Sequence, residues 1–128
     1  LPGTGGGNDI ASLTKMMVAM PQEKRRFVEK VDFVTSPGYL TGGTSRVDSG
    51  LVAGGMYRVV TDLAVLGFDD GTGRMKVLDL HPGVTAEQVQ ENTGFELIVG
   101  PDVGVTELPT DEELAALRHL DPDKVYIA

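Results

Sequence analysis

The chain of 128 residues contains no cysteine, no tryptophan, two histidines and seven aromatic residues. Without cysteine there is no disulfide scaffold, no thiolate metal site and no thiol nucleophile. His81 and His119 are too few for a histidine-rich metal site, and a Ser-His-Asp triad would have to use one of them. No metal site is expected. The scarcity of aromatics leaves little for base stacking on single-stranded nucleic acid. No apolar run approaches the ~18 residues of a membrane span; the longest candidate, Met16 to Met20, is strand-sized. No basic region followed by an apolar stretch marks secretion, so a cytoplasmic, membrane-free protein is expected.

Charge is unevenly spread. Residues 1–60 carry seven Lys/Arg and five Asp/Glu, and residues 61–128 carry four and fourteen, so the halves stand at +2 and −10. An acidic half repels phosphate backbones, which disfavours nucleic acid as a partner. Hydrophobic residues make up 41%, enough for a core, and the length suits one domain.

Glycine is what the chain has in excess. It contributes 17 residues, about twice the usual share. The chain opens on Leu1-Pro2-Gly3 and runs into Thr4-Gly5-Gly6-Gly7-Asn8-Asp9. Such a loop normally follows another element, so the chain reads as a fragment. Glycines at this density let backbone approach a ligand and present successive N–H groups to an anion. A flexible terminus or a tight connection would use the same residues. No Gly-Lys-Ser/Thr follows, so this is not a P-loop.

Asn8 or Asp9 reads as the cap of a short helix with Ile10 and Leu13 on its buried face. Lys15 to Met20, ended by Pro21, reads as a buried strand. Phe27 to Thr35 alternates as a strand, and Ser36-Pro37-Gly38 as a turn. Leu40 to Met56, with five glycines, reads as a long irregular loop, either a lid or an interface segment. Tyr57–Phe68 and Met75–Leu80 read as one hairpin closed by Asp69-Asp70-Gly71, with Asp62 a bulge or break. Thr85-Ala86-Glu87-Gln88 and Thr110-Asp111-Glu112-Glu113 are capping boxes. The first helix is expected over about 86–92, stapled by Val84 and Val89 and stopped by Gly94. The second carries Leu114, Leu117 and Leu120 and stops at Asp121-Pro122. Phe95 to Val99 reads as a short strand. The fold class is α/β: an open mixed or parallel sheet with short helices.

Other candidates are weaker. Lys24-Arg25-Arg26 could grip a phosphate or be a solvated turn. His81, before Pro82-Gly83, could be a general base or a packing residue. Tyr39, Ser36 and Ser45 lie in or beside the long loop. Nothing fixes a separation for catalytic carboxylates between Asp102 and Glu113.

Several segments, in order, resemble class I CoA-transferase β subunits of the glutaconate type. They are Gly3-Thr4-Gly5-Gly6-Gly7-Asn8-Asp9-Ile10, Lys24 to Phe33, Thr35 to Tyr39, His81 to Thr85, and Glu91 to Phe95. The resemblance implies the CoA-transferase fold, with residues 1–128 as the C-terminal part of one β-subunit domain truncated at its N-terminus. It implies that a β-subunit glutamate attacks an acyl-CoA, forms an acyl-glutamyl anhydride, and becomes a glutamyl-CoA thioester that passes CoA to a carboxylic acid. In that family the glutamate lies upstream of the glycine loop. No glutamate here matches it, so no catalytic residue is assigned within the chain. Gly5 and Gly6 are implied as oxyanion or thioester donors, and Gly3, Thr4, Gly7, Asn8 and Asp9 as CoA- or substrate-binding residues. An α subunit, an oligomer, and no cofactor beyond coenzyme A as substrate are implied too. A related acyl-CoA hydrolase or ring-opening subunit is an alternative, as is a non-catalytic binding or assembly module.

Overall fold

In a computed structural model the structure describes residues 6–125. The described chain forms α1 (Gly7–Leu13), β1 (Lys15–Ala19), α2 (Ser45–Asp48), β2 (Gly55–Val60), β3 (Ala64–Phe68), β4 (Met75–Leu80), α3 (Ala86–Glu91), β5 (Ile98–Val105) and α4 (Asp111–Leu120). The five strands make one sheet in chain order. β1 and β4 run parallel to β2 and β5 respectively, while β3 is antiparallel to both β2 and β4. Four strands therefore point their carboxyl ends the same way. This is the open, mixed α/β sheet expected.

The core is small and sits on β2–β4. Phe27, Val59, Ala64, Leu66, Val77, Val89 and Leu97 are buried together. Leu66 and Val89 are fully enclosed, and each such burial stabilises by roughly 1.5–3 kcal/mol. Val89 reaches the core because α3 starts where its capping box dictates. Thr85 accepts from the Gln88 amide, and the Gln88 side chain accepts from the Thr85 amide. Val84 packs against the same core, as a staple should.

Several expectations need correction. Tyr57–Phe68 is two strands, because the Thr61 hydroxyl accepts from the amides of Leu63 and Ala64 and folds a tight turn around Asp62. Phe27–Thr35 forms no strand. Glu29, Lys30 and Asp32 interrupt its apolar residues, and only Phe27 is buried, with Phe33 and Val34 exposed. β1 is not buried: it is an edge strand whose side chains alternate between half-buried and exposed. The last strand begins three residues later than expected and runs to Val105. Gly94 is no helix-ending glycine with positive φ. Its amide donates to the Phe27 carbonyl at 2.6 Å, and a Cβ there would lie 2.6 Å from that oxygen. The cap of α1 is Gly6, not Asn8 or Asp9, and Ile10 and Leu13 are 54% and 69% exposed.

Candidate functional site

The glycine cluster leads directly into α1. Gly3, Thr4 and Gly5 lie outside the described residues. Gly6 caps the helix with φ −63° and ψ −8°, Gly7 is its first residue, and Asn8 and Asp9 complete an exposed first turn. The Gly6 carbonyl accepts from the Ile10 amide at 3.0 Å. The amides of Gly7, Asn8 and Asp9 have no intrahelical partners, and among the described residues no side chain caps the helix. Neither dihedral at Gly6 requires glycine. A Cβ built there meets nothing within 4 Å. The fold of the described residues therefore tolerates a side chain where the sequence has none.

The other end of α1 is held tightly. Gly54, at φ +71°, passes so close that a Cβ would stand 2.6 Å from the Leu13 carbonyl carbon and the Thr14 amide. Gly55 donates to the Thr14 carbonyl at 2.9 Å. The long glycine-rich loop is not irregular throughout. It contains α2, and its preceding turn is closed by the Leu40 amide donating to the Pro37 carbonyl. Tyr39 donates its hydroxyl to the Met56 carbonyl at 2.8 Å and stacks at 4.8 Å on Phe68. Ser45 donates to the Tyr39 carbonyl. Tyr39 and Ser45 thus hold the loop, whereas the structure gives Ser36 no comparable side-chain role.

A polar network joins the carboxyl ends of the strands. His81 places Nε2 2.8 Å from the Thr61 carbonyl and Nδ1 2.8 Å from the Thr106 hydroxyl. A carbonyl only accepts, so Nε2 carries the hydrogen and Nδ1 accepts from Thr106. Both ring nitrogens are engaged, and His81 ties β4 to its neighbours rather than standing ready as a base. Gln22 is buried as well. Its backbone N–H donates to Asp62 at 2.6 Å and its side chain to Thr93 at 2.9 Å, while its Oε1 has no partner among the described residues. Its place in a polar turn gave no hint of burial.

The charged candidates are structural. Arg25 and Arg26 both reach Glu23, at 2.8 and 2.6 Å, so Lys24-Arg25-Arg26 is a surface turn with two of its cations occupied. Hydrogen bonds from Arg25 and then Arg26 hold the Glu23 carboxyl below its ordinary value. The Asp69 carboxyl is lowered by the Thr72 hydroxyl and amide. Those of Glu87 and Glu113 are lowered chiefly by backbone amides at the starts of α3 and α4. Among the described residues, no three His, Asp or Glu side chains could share a metal ion. No described helix is long and apolar enough to cross a membrane. A concavity of about 670 Å³ is lined by residues 107–110 and α4, and among the described residues none from the glycine loop lines it.

Comparison with known proteins gives a consistent result. The coenzyme A transferase family model matches residues 1–92. The β subunit of the 3-oxoadipate CoA-transferase of Pseudomonas knackmussii is 42% identical over 122 residues, covering 94% of this chain and 47% of the relative. The β subunit of the glutaconate CoA-transferase of Acidaminococcus fermentans is 40% identical over 127 residues, covering 98% and 47%. The crystal structure of that organism's glutaconate coenzyme A-transferase superposes with a TM-score of 0.89 at 37% identity, over all of this chain and 50% of the other. A cholesterol ring-cleaving hydrolase subunit from Rhodococcus jostii is also 40% identical, over 91% of this chain and 45% of its own. The chain spans about half the length of the curated relatives it matches.

Proposed function

The chain belongs to the coenzyme A transferase family, and from that premise we propose that it is the C-terminal part of a β-type subunit that moves CoA between an acyl-CoA and a carboxylic acid. The observation that carries this reading is the glycine loop. Gly6 sits at a backbone geometry any residue could adopt, and among the described residues nothing lies within 4 Å of a Cβ built there. We read that room as space for a ligand to approach the backbone.

A thioester carbonyl is such a visitor. When a carboxylate attacks it, negative charge develops on the carbonyl oxygen, and donors ~2.7–3.1 Å away stabilise that charge most. Backbone amides at Gly5 and Gly6 would supply them, with Gly3, Thr4, Gly7, Asn8 and Asp9 shaping the surrounding cradle. The attacking glutamate is supplied from outside these 128 residues. Within the chain, Glu23 is engaged by two arginines, and Glu113 closes a capping box. In the reaction the glutamate carboxylate displaces CoA as thiolate and forms an acyl-glutamyl anhydride. The thiolate returns to the glutamyl carbonyl and releases the acyl group as carboxylate. The glutamyl-CoA thioester then repeats these two exchanges in reverse with the acceptor acid. The thioester's energy is conserved throughout. A companion α subunit would complete the enzyme.

Hydrolysis is the second reading, favoured by the equal identity of the ring-cleaving hydrolase subunit. The superposition on glutaconate coenzyme A-transferase, at a TM-score of 0.89, supports transfer over hydrolysis. In the complete enzyme, Gly6→Val is expected to lower kcat by roughly 10²–10³ while leaving the melting temperature nearly unchanged. Turnover with glutaconyl-CoA or 3-oxoadipyl-CoA as donor and acetate as acceptor measures it. Undiminished transfer would sink the assignment. Free CoA released from the donor without formation of acetyl-CoA would instead select an acyl-CoA hydrolase.

A further inference from the structure

Arg46 is the buried cation among the described residues, at 8% exposure. No carboxylate pairs with it among them. Its guanidinium serves backbone carbonyls instead. Nη1 donates to Gly38 at 2.6 Å, and Nη2 donates to Ala53 at 2.8 Å and to Ser12 at 3.2 Å. Gly55 makes room for it: a Cβ there would lie 3.3 Å from both Cζ and Nε. Burying a charge without a counter-charge is unfavourable, so this placement needs a return in what the donors hold.

We propose that Arg46 is a positioning residue for Gly6 and the first turn of α1: it clamps the carboxyl-terminal end of that helix so that the amides at the opposite end are held still relative to the sheet. The proposal rests on the reading of the glycine loop as a thioester cradle.

A seven-residue helix such as α1 is not stable by itself. Beyond the backbone contacts at Gly54 and Gly55, side-chain packing does little to anchor it, since it buries only Ala11 and leaves Ile10 and Leu13 largely in solvent. Its final carbonyls have no helical partners, and the Ser12 carbonyl finds one in Arg46. The same guanidinium holds Gly38 and Ala53, which flank the glycine-rich stretch carrying α2. The foot of α1, both ends of that stretch and the start of β2 therefore meet at one planar group. Lysine cannot substitute for it, because an ammonium is a point donor without a rigid fork.

The test compares Arg46→Lys and Arg46→Gln in the protein as it occurs, assembled with any partner subunit. Glutaconyl-CoA and 3-oxoadipyl-CoA serve as donors and acetate as acceptor. Displacing donors by about 1 Å can cost 10²-fold in rate, so kcat should fall at least tenfold with KM within twofold. Amide exchange over residues 7–14 should quicken while β2–β4 stay protected. Unchanged kcat in both variants would overturn the proposal. So would a rise in KM alone, or exchange that quickens equally across the sheet, which marks a merely structural arginine. Gly6→Val separates this idea from the one beneath it. If Gly6→Val leaves turnover intact, the cradle reading and the positioning proposal built on it both fail. If Gly6→Val abolishes turnover while both Arg46 variants keep kcat, the cradle stands and the clamp falls.

Discussion

Thr110 shows how much one side chain can specify. Its hydroxyl accepts from the Glu113 amide, and the Glu113 carboxylate accepts in return from the Thr110 amide at 2.8 Å and hydroxyl at 2.9 Å. Those bonds favour the ionised carboxylate, so its pKa in the folded chain lies below the ordinary 4.5. The sign follows from linkage. A group with a depressed folded pKa contributes stability above its unfolded value and loses it as pH falls through the folded one. The NMR titration midpoint of Glu113 should therefore lie below 4.5, and the start of α4 should fray as pH drops past it. Thr110→Ala should move the midpoint back toward the ordinary value; an unmoved midpoint would refute the cap as the cause. Both capping boxes were legible in the sequence because their partners stand three residues apart. Gln22 and Arg46 were not, because their partners Thr93 and Ser12 are 71 and 34 positions away.

Elements differ in what holds them. β3 sits at the centre of the sheet, and its Leu66 is fully enclosed by the core. α4 has a good cap and an apolar row, yet none of its residues is buried. Leu66→Ala should destabilise the chain by about 3 kcal/mol, while Leu117→Ala should cost under about 0.5 kcal/mol. Urea denaturation of the two variants measures the difference; equal losses would mean that α4 packs in solution. Periodicity predicted apolar stripes on both α1 and α4, and the structure leaves both largely uncovered. Amphipathic pattern states which face seeks a partner, not whether the described chain supplies one. Alternation failed at Phe27–Thr35 for a related reason, since a strand needs a neighbour's hydrogen bonds and the charges there face no ladder. Within Tyr57–Phe68 the hydroxyl of Thr61 overrode strand propensity and turned the chain.

At the scale of the molecule, the described sheet ends on β1 and β5, each paired on one side only. Met17 and Val99 on these strands stand 64% and 48% exposed, and Leu120 79%. Unpaired edges and apolar surface invite association. The 128-residue chain by itself is therefore expected to self-associate as concentration rises, which sedimentation velocity would measure. A strictly monomeric state at high concentration would contradict it. By itself the sequence determined the fold class, the family and both capping boxes, and it offered the glycine loop as a candidate. All of these rest on neighbours in the chain or on ordered motifs, so they survive reading along one dimension. Tertiary structure alone decided that His81 has both nitrogens occupied, that no described residue crowds Gly6, that β2 and β3 are separate strands, and that a buried guanidinium donates to the Ser12 carbonyl at the end of α1. Each of these depends on which distant groups approach within hydrogen-bonding or van der Waals range, and that proximity exists only once the strands have paired.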